Sequence, residues 1–180
     1  MFREIRRKEK QLTIEECIEI LAKAEYGTLA TMGADGYPYA VPLNYVYHDG
    51  SIYFHCAIKG HKLDNIRYCS NVSFNIATDV WVVPLIHDND LAESVSRFNG
   101  FDTNFNSITI FGKAYEVTGE EKISGLTALL KKFLFSSGES QYKEEGTKYI
   151  EKSLKKTKLF KIEIEHMTGK RGIRKQGKQH

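Results

Sequence analysis

Three cysteines and three prolines among 180 residues are few, and no hydrophobic run is long. Cys17, Cys56 and Cys69 form no CxxC pair and their number is odd, so neither a disulfide framework nor a metal site is expected. No stretch approaches the roughly 18 uninterrupted apolar residues that a membrane span requires. The opening residues, Met1-Phe2-Arg3-Glu4-Ile5-Arg6-Arg7, lack the apolar centre of a secretion signal, and a cytoplasmic address is the expectation. Internal repeats and low-complexity linkers are missing as well. What remains is the composition of a globule, 41% hydrophobic, 27% charged and 12% aromatic. The length suits one domain, read here as residues 1–168 followed by a basic tail over 169–180.

Charge of one sign is scarce too. Twenty-six Lys and Arg against 23 Asp and Glu give +3, and the tail alone carries Lys170, Arg171, Arg174, Lys175 and Lys178 with no acid. Without the tail the body stands at −2. A polyanion-binding surface needs cations spread over a folded face. Neither a nucleic acid nor a membrane is therefore an expected partner.

Thr13-Ile14-Glu15-Glu16 is a capping box, and Cys17, Ile20, Leu21 and Ala24 then share one helical face, with Gly27 as a suitable stop. Strand-like segments follow over 27–32, 37–48 and 51–57, separated by Asp35-Gly36 and Asp49-Gly50, which favour tight hairpins. Leu63 and Ile66 suggest a short helix ending near Tyr68. Val72, Phe74 and Ile76 alternate as a half-buried strand, extended by Val80 to Val83 past a bend at Asp79. A polar loop is read over 84–106, then a strand over 107–117 with Gly112 inside it. Thr118-Gly119-Glu120-Glu121 is a second capping box, opening a helix with Ile123, Leu126, Leu130 and Phe133 on one face. A weaker helix spans 143–154, and Phe160, Ile162 and Ile164 alternate with Lys161, Glu163 and Glu165 in a last strand. About six strands without alternating βαβ units predict a mainly β (α+β) fold, an antiparallel barrel with peripheral helices.

Two segments carry chemistry. From Tyr37 to Tyr47 the odd positions form one buried face, while Pro38 and Pro42 delete two donors from a single lateral edge. The sheet is expected to open there. A protected edge strand is the plainer explanation; a gap where a planar ligand meets backbone is the sharper one. The second segment, His55-Cys56-Ala57-Ile58-Lys59-Gly60-His61-Lys62, closes a strand and opens a helix. Cations at a helix N-terminus oppose the macrodipole, and Lys59, His61 and Lys62 cluster at this point. A phosphate between them removes the conflict, with Gly60 permitting close approach. Solvated surface side chains are the alternative.

These two segments, with Ser107-Ile108-Thr109-Ile110-Phe111-Gly112-Lys113-Ala114 and Met167-Thr168-Gly169-Lys170-Arg171, resemble the pyridoxamine 5′-phosphate oxidase-like flavoproteins, and within them the nitroimidazole-resistance branch. The resemblance implies a six-stranded split β-barrel, assembled as a homodimer with FMN, or FAD, in each of two interface clefts. It places Val41, Pro42, Leu43 and Asn44 along the flavin ring and His55, Cys56 and Ala57 beside the ribityl chain. Lys59, Gly60, His61 and Lys62 would hold the phosphate, Ser107 would approach from the partner subunit, and Lys170 would close over the phosphate or substrate.

The implied activity is that of a flavin-dependent oxidoreductase, with NAD(P)H as electron donor and a small acceptor such as a nitroaromatic. His55 is the candidate catalytic proton donor, because an unperturbed imidazole titrates near neutral pH. Cys56 faces away from it, since adjacent strand residues point to opposite sides, so no Cys–His pair is expected. Two departures from the vitamin B6 oxidases are visible: no arginine-rich substrate motif ends the chain, and His61 stands where they carry arginine. The alternative is a barrel that binds flavin or haem without turnover, with His55, His61, His87 or His166 as haem ligands. Single-strand nucleic-acid binders expose their aromatics, whereas Tyr37, Tyr39, Tyr45 and Tyr47 fall on the face read as buried.

Overall fold

The computed structural model describes residues 2–82, 103–134 and 156–172, with positions 146, 148, 150 and 152–154 between the last two. The loop read over 84–106 lies outside the described residues up to 102, together with His87, and so does the tail beyond 172; residues 103–106, read as loop, are the start of a strand paired across the sheet.

A 3-10 turn at Lys8–Lys10 precedes helix α1, Ile14–Lys23. The capping box forms: Glu16 N donates to Thr13 Oγ1 at 3.2 Å and Thr13 N to Glu16 Oε2 at 2.9 Å. The helix buries Cys17 and Leu21 completely. It ends at Ala24 rather than Gly27. Gly27 lies inside β1, Tyr26–Met32, and is needed there because a Cβ would strike the Phe74 ring.

The remaining strands are β2, Pro38–Asn44; β3, Val46–His48; β4, Ser51–Ala57; β5, Asn71–Val82; β6, Thr103–Val117; and β7, Thr157–Gly172. Helix α2, His61–Tyr68, links β4 to β5, and α3, Gly119–Leu134, follows β6. All pairings are antiparallel, in one sheet of order β2-β1-β5-β6-β7-β4-β3. Both Asp-Gly hairpins hold: Gly36, Asp49 and Gly50 take the positive φ that those turns need.

Seven strands stand where six were expected, and one residue accounts for the difference. The segment read as a single strand over 37–48 breaks at Tyr45 and changes partner. Its first half pairs with β1, from Tyr26↔Asn44 to Met32↔Pro38, and its second half pairs with β4, from Val46↔Tyr53 to His48↔Ser51. One chain segment thus joins the two ends of the sheet and curls it into a barrel. Tyr45 is fully buried and pinned. Its hydroxyl donates to Leu21 O at 2.8 Å, its ring meets the Phe74 edge at 5.0 Å, and Lys132 Nζ sits 3.9 Å above it.

The barrel interior is filled by Leu29, Tyr45, Ile52, Phe54, Phe74, Ile76, Ile108, Ile110 and Ile162, all nearly inaccessible. A second cluster lies outside the barrel, where Val46, Tyr53 and Leu159 pack against Leu126 and Leu129 of α3. That helix buries a slightly different face from the one expected: Ile123 is exposed, and Leu129 takes its place. Its capping box does not close among the described residues either. Glu121 instead accepts from Tyr53 Oη at 3.0 Å and from Lys161 Nζ at 3.1 Å. Strand β7 continues to Gly172, so Gly169 to Gly172, read as the start of a tail, belong to the sheet.

Candidate functional site

The change of partner at Tyr45 leaves a gap. Strand β4 pairs with β7 along its whole length, but on its other side β3 covers only Ser51 to Tyr53. From Phe54 to Ala57 that edge pairs with no strand among the described residues, although β2 runs close by. The β1–β2 ladder passes through Pro38 and Pro42 without a register shift, as it does when proline nitrogens face the opposite edge. The opening expected from the two prolines therefore lies between β2 and the end of β4.

Val41, Pro42, Leu43 and Asn44 form one wall. Val41 and Leu43 turn inward against the core, whereas Pro42 and Asn44 are exposed, with Asn44 Nδ2 donating to Glu25 O at 3.3 Å. Tyr37 is 76% exposed and does not extend the buried face. On the other wall Cys56 points into the barrel, where burial pushes its thiol pKa up, so it is no reactive thiolate. His55 and Ala57 project outward and are exposed. Even so, the surrounding protein lowers the His55 pKa below 6.5 by desolvation first and by the Lys62 charge second. At neutral pH His55 is therefore an uncharged imidazole, a hydrogen-bonding group rather than a standing imidazolium.

At the foot of the gap, Gly60 is the N-cap of α2, with φ 146° and no side-chain hydrogen bond at the cap. Of the helix's first four amides, only Leu63 N and Asp64 N have a partner among the described residues, Gly60 O. Lys59, His61 and Lys62 stand around this end, and neither lysine makes an ion pair with any described residue. The one acid of the first turn, Asp64, is held by Arg67 at 2.9 Å and does not neutralise them. Charge, free amides and an open approach converge as the sequence predicts.

Sequence reasoning missed what holds this end in place. The His61 ring lies 4.3 Å from that of Tyr39 on β2, tilted by 40°. Beneath them Asn65 Nδ2 donates to Thr31 Oγ1 at 3.1 Å, and Thr31 Oγ1 donates to Tyr39 O at 3.3 Å. Both Asn65 and Thr31 are 3% exposed. No local pattern distinguishes Asn65 from any polar residue on a short helix; only its burial reveals it.

Ser107 and Lys170 are brought together, toward the other end of β7 from the stretch that pairs with β4. They are register partners on β6 and β7. Ala57 pairs with Thr157, and Lys170 lies thirteen residues further along β7. At about 3.3 Å per residue that is on the order of 40 Å of strand. Arg171 is engaged by Glu16 Oε1 at 3.0 Å and Asn106 Oδ1 at 2.9 Å. Of the other histidines, His166 stacks on Phe2 at 4.7 Å with its Nε2 buried and unpartnered, and His48 Nε2 lies 3.3 Å from Ser124 Oγ. No group of three metal-ligating side chains occurs among the described residues, and no described helix is long and apolar enough to cross a membrane.

Solved structures share this architecture at low sequence identity. A candidate 5-nitroimidazole antibiotic resistance protein from Bacteroides thetaiotaomicron superposes with a TM-score of 0.65 at 20% identity, covering 89% of this chain and 85% of that one. A conserved hypothetical protein from Mycobacterium tuberculosis gives 0.69 at 18%, covering 93% and 90%. An FAD- and haem-binding protein from Mycobacterium smegmatis gives 0.66 at 18%, covering 91% and 73%. No curated protein sequence matches. The family model of pyridoxamine 5′-phosphate oxidase matches residues 13–171, which takes in both walls of the gap, the cation cluster and the β6–β7 ribbon, and the chain belongs to that family.

Proposed function

We propose that this protein is an FMN-dependent oxidoreductase that passes electrons from NAD(P)H to a small acceptor such as a nitroaromatic. The observation that carries the reading is the gap itself: a strand edge unpaired among the described residues, ending at a helix N-terminus where two lysines have no ion-pair partner among them. The residues present fit a phosphorylated flavin. Lys59, Lys62 and the first amides of α2 hold the phosphate, and the space beside Gly60 is open, its φ of 146° being one that suits glycine. The backbone of Val41 to Asn44 and the free edge of His55 to Ala57 flank the ring and ribityl chain.

The flavin, when bound, supplies the redox chemistry; the chain supplies binding, orientation and electrostatics. His55 sits beside Lys62, so a phosphate that neutralises Lys62 removes one of the two causes lowering the imidazole pKa. That change brings His55 closer to the range in which it holds and gives up a proton at neutral pH. Ser107 and Lys170 lie thirteen residues along β7 from the position opposite Ala57, an arrangement that favours a homodimer in which each copy completes the other's site. The neighbour that binds FAD and haem supports the alternative of a barrel that holds flavin or haem without turnover.

The test is an anaerobic assay of flavin-loaded protein with NADPH and a nitroimidazole. Nitro-group loss at a rate above that of free FMN supports the reading. A bound flavin that NAD(P)H does not reduce leaves the non-catalytic alternative.

A further inference from the structure

The gap has two walls on different elements, and their spacing decides what fits between them. Strand β2 carries the ring-facing wall, whereas the cations gather at the N-terminal end of α2. These elements are not neighbours in sequence, and no ladder joins them. Beside the apolar core they share, two more directional contacts do, and both converge on Tyr39. Its ring packs against His61, the first residue of α2, and its carbonyl ends the chain Asn65 Nδ2 → Thr31 Oγ1 → Tyr39 O that crosses β1.

Buried polar groups are costly unless satisfied, and a satisfied chain of them fixes geometry more sharply than apolar packing does. Among the described residues only three polar or charged side chains are buried, Thr31, Ser51 and Asn65. Two of the three form this relay. Gly33 lies against it: a Cβ at that position would meet Asp35 Oδ1 first, at 2.5 Å, and Asn65 Oδ1 at 3.2 Å.

We propose that Asn65 and Thr31 are positioning residues that hold the phosphate-binding end of α2 at a fixed distance from β2, so that the site selects a phosphorylated flavin over riboflavin. The inference rests on the flavin reading above. Neither residue touches the ligand. They act through the Tyr39 carbonyl and the seat of His61, which set where Lys59, Lys62 and the free amides lie relative to the ring wall. Charge-assisted hydrogen bonds depend steeply on such placement, while stacking along a strand tolerates small shifts.

Fluorescence titrations with FMN and with riboflavin test this on the wild type, Asn65→Leu, Thr31→Val and the double variant. Thr31→Val with Asn65→Leu removes both partners at nearly constant shape, so stability is largely kept. The expected result is FMN affinity about tenfold weaker, equal to ~1.4 kcal/mol, with riboflavin affinity unchanged. Tyr39→Leu, which keeps every backbone bond and removes only the ring contact, is expected to shift the same ratio in the same direction and covers the case in which the double variant does not fold. An equal loss for both flavins, or an unchanged FMN-to-riboflavin ratio, overturns the proposal. Failure of the wild type to bind FMN overturns the flavin reading itself, which is a separate outcome.

Discussion

Lys59 and Lys62 are the residues whose chemistry is hardest to explain without a ligand. Each adds positive charge to the positive end of a helix, and the only acid of that turn is occupied by Arg67. If they bind phosphate, Lys59→Ala and Lys62→Ala each weaken FMN about tenfold, and the loss shrinks as salt is raised. Isothermal titration at two ionic strengths measures both effects. His55 is a different case, since its low pKa makes it a poor reservoir of protons in the free protein. His55→Ala is expected to keep its flavin and lose roughly a hundredfold in nitroreduction rate, the lower end of general acid–base contributions. Unchanged turnover removes it from the mechanism. These positions were legible because their conflict is local: a cation cluster and a glycine at a strand-to-helix junction can be read from neighbouring letters. Asn65 and Thr31 were not, because their significance arises only when α2 is laid across β1.

The most informative element is the strand that changes partner at Tyr45. Period-two alternation runs unbroken from Tyr37 to Tyr47, so the sequence predicts one strand and gives no sign of two partners. Pairing is a non-local property, and only the two prolines hinted at an edge. What stabilises the switch is the cap that Tyr45 and Lys132 place on the C-terminus of α1. Lys132 Nζ donates to Ala24 O at 2.5 Å and Leu21 O at 3.4 Å, completing carbonyls that a helix end leaves free. Burial lowers its pKa from 10.5 to about 8, with Glu25 opposing the shift. The folded chain thus gives up this proton before the unfolded chain does. Between pH 8 and 10.5 the unfolded state binds more protons, so stability rises with pH across that window. Chemical denaturation of wild type and Lys132→Met is expected to show a difference that moves in favour of wild type from pH 8 to 10.5. A difference independent of pH contradicts this account of the cap.

At the scale of the molecule, about six strand-like segments joined by hairpins or single helices, with no alternating βαβ units, were enough to predict an antiparallel barrel. Assembly is another matter. Ser107 and Lys170 pair with each other thirteen residues along β7 from the position opposite Ala57, and the homodimer proposed above is what would bring them to a partner's gap. Protomers carrying Lys62→Ala and protomers carrying Lys170→Ala are each expected to bind FMN poorly. Random two-fold pairing of the mixture restores roughly a quarter of the sites, visible as recovered flavin binding. No recovery contradicts sites shared between subunits.

Everything proposed for this protein depends on a phosphorylated flavin bridging the gap between β2 and β4. Its most direct test is to purify the protein with no added cofactor, record the visible spectrum and weigh the released chromophore. The account predicts a yellow protein that releases FMN and whose melting temperature rises when FMN is restored. A colourless protein that saturating FMN neither binds to nor stabilises contradicts it.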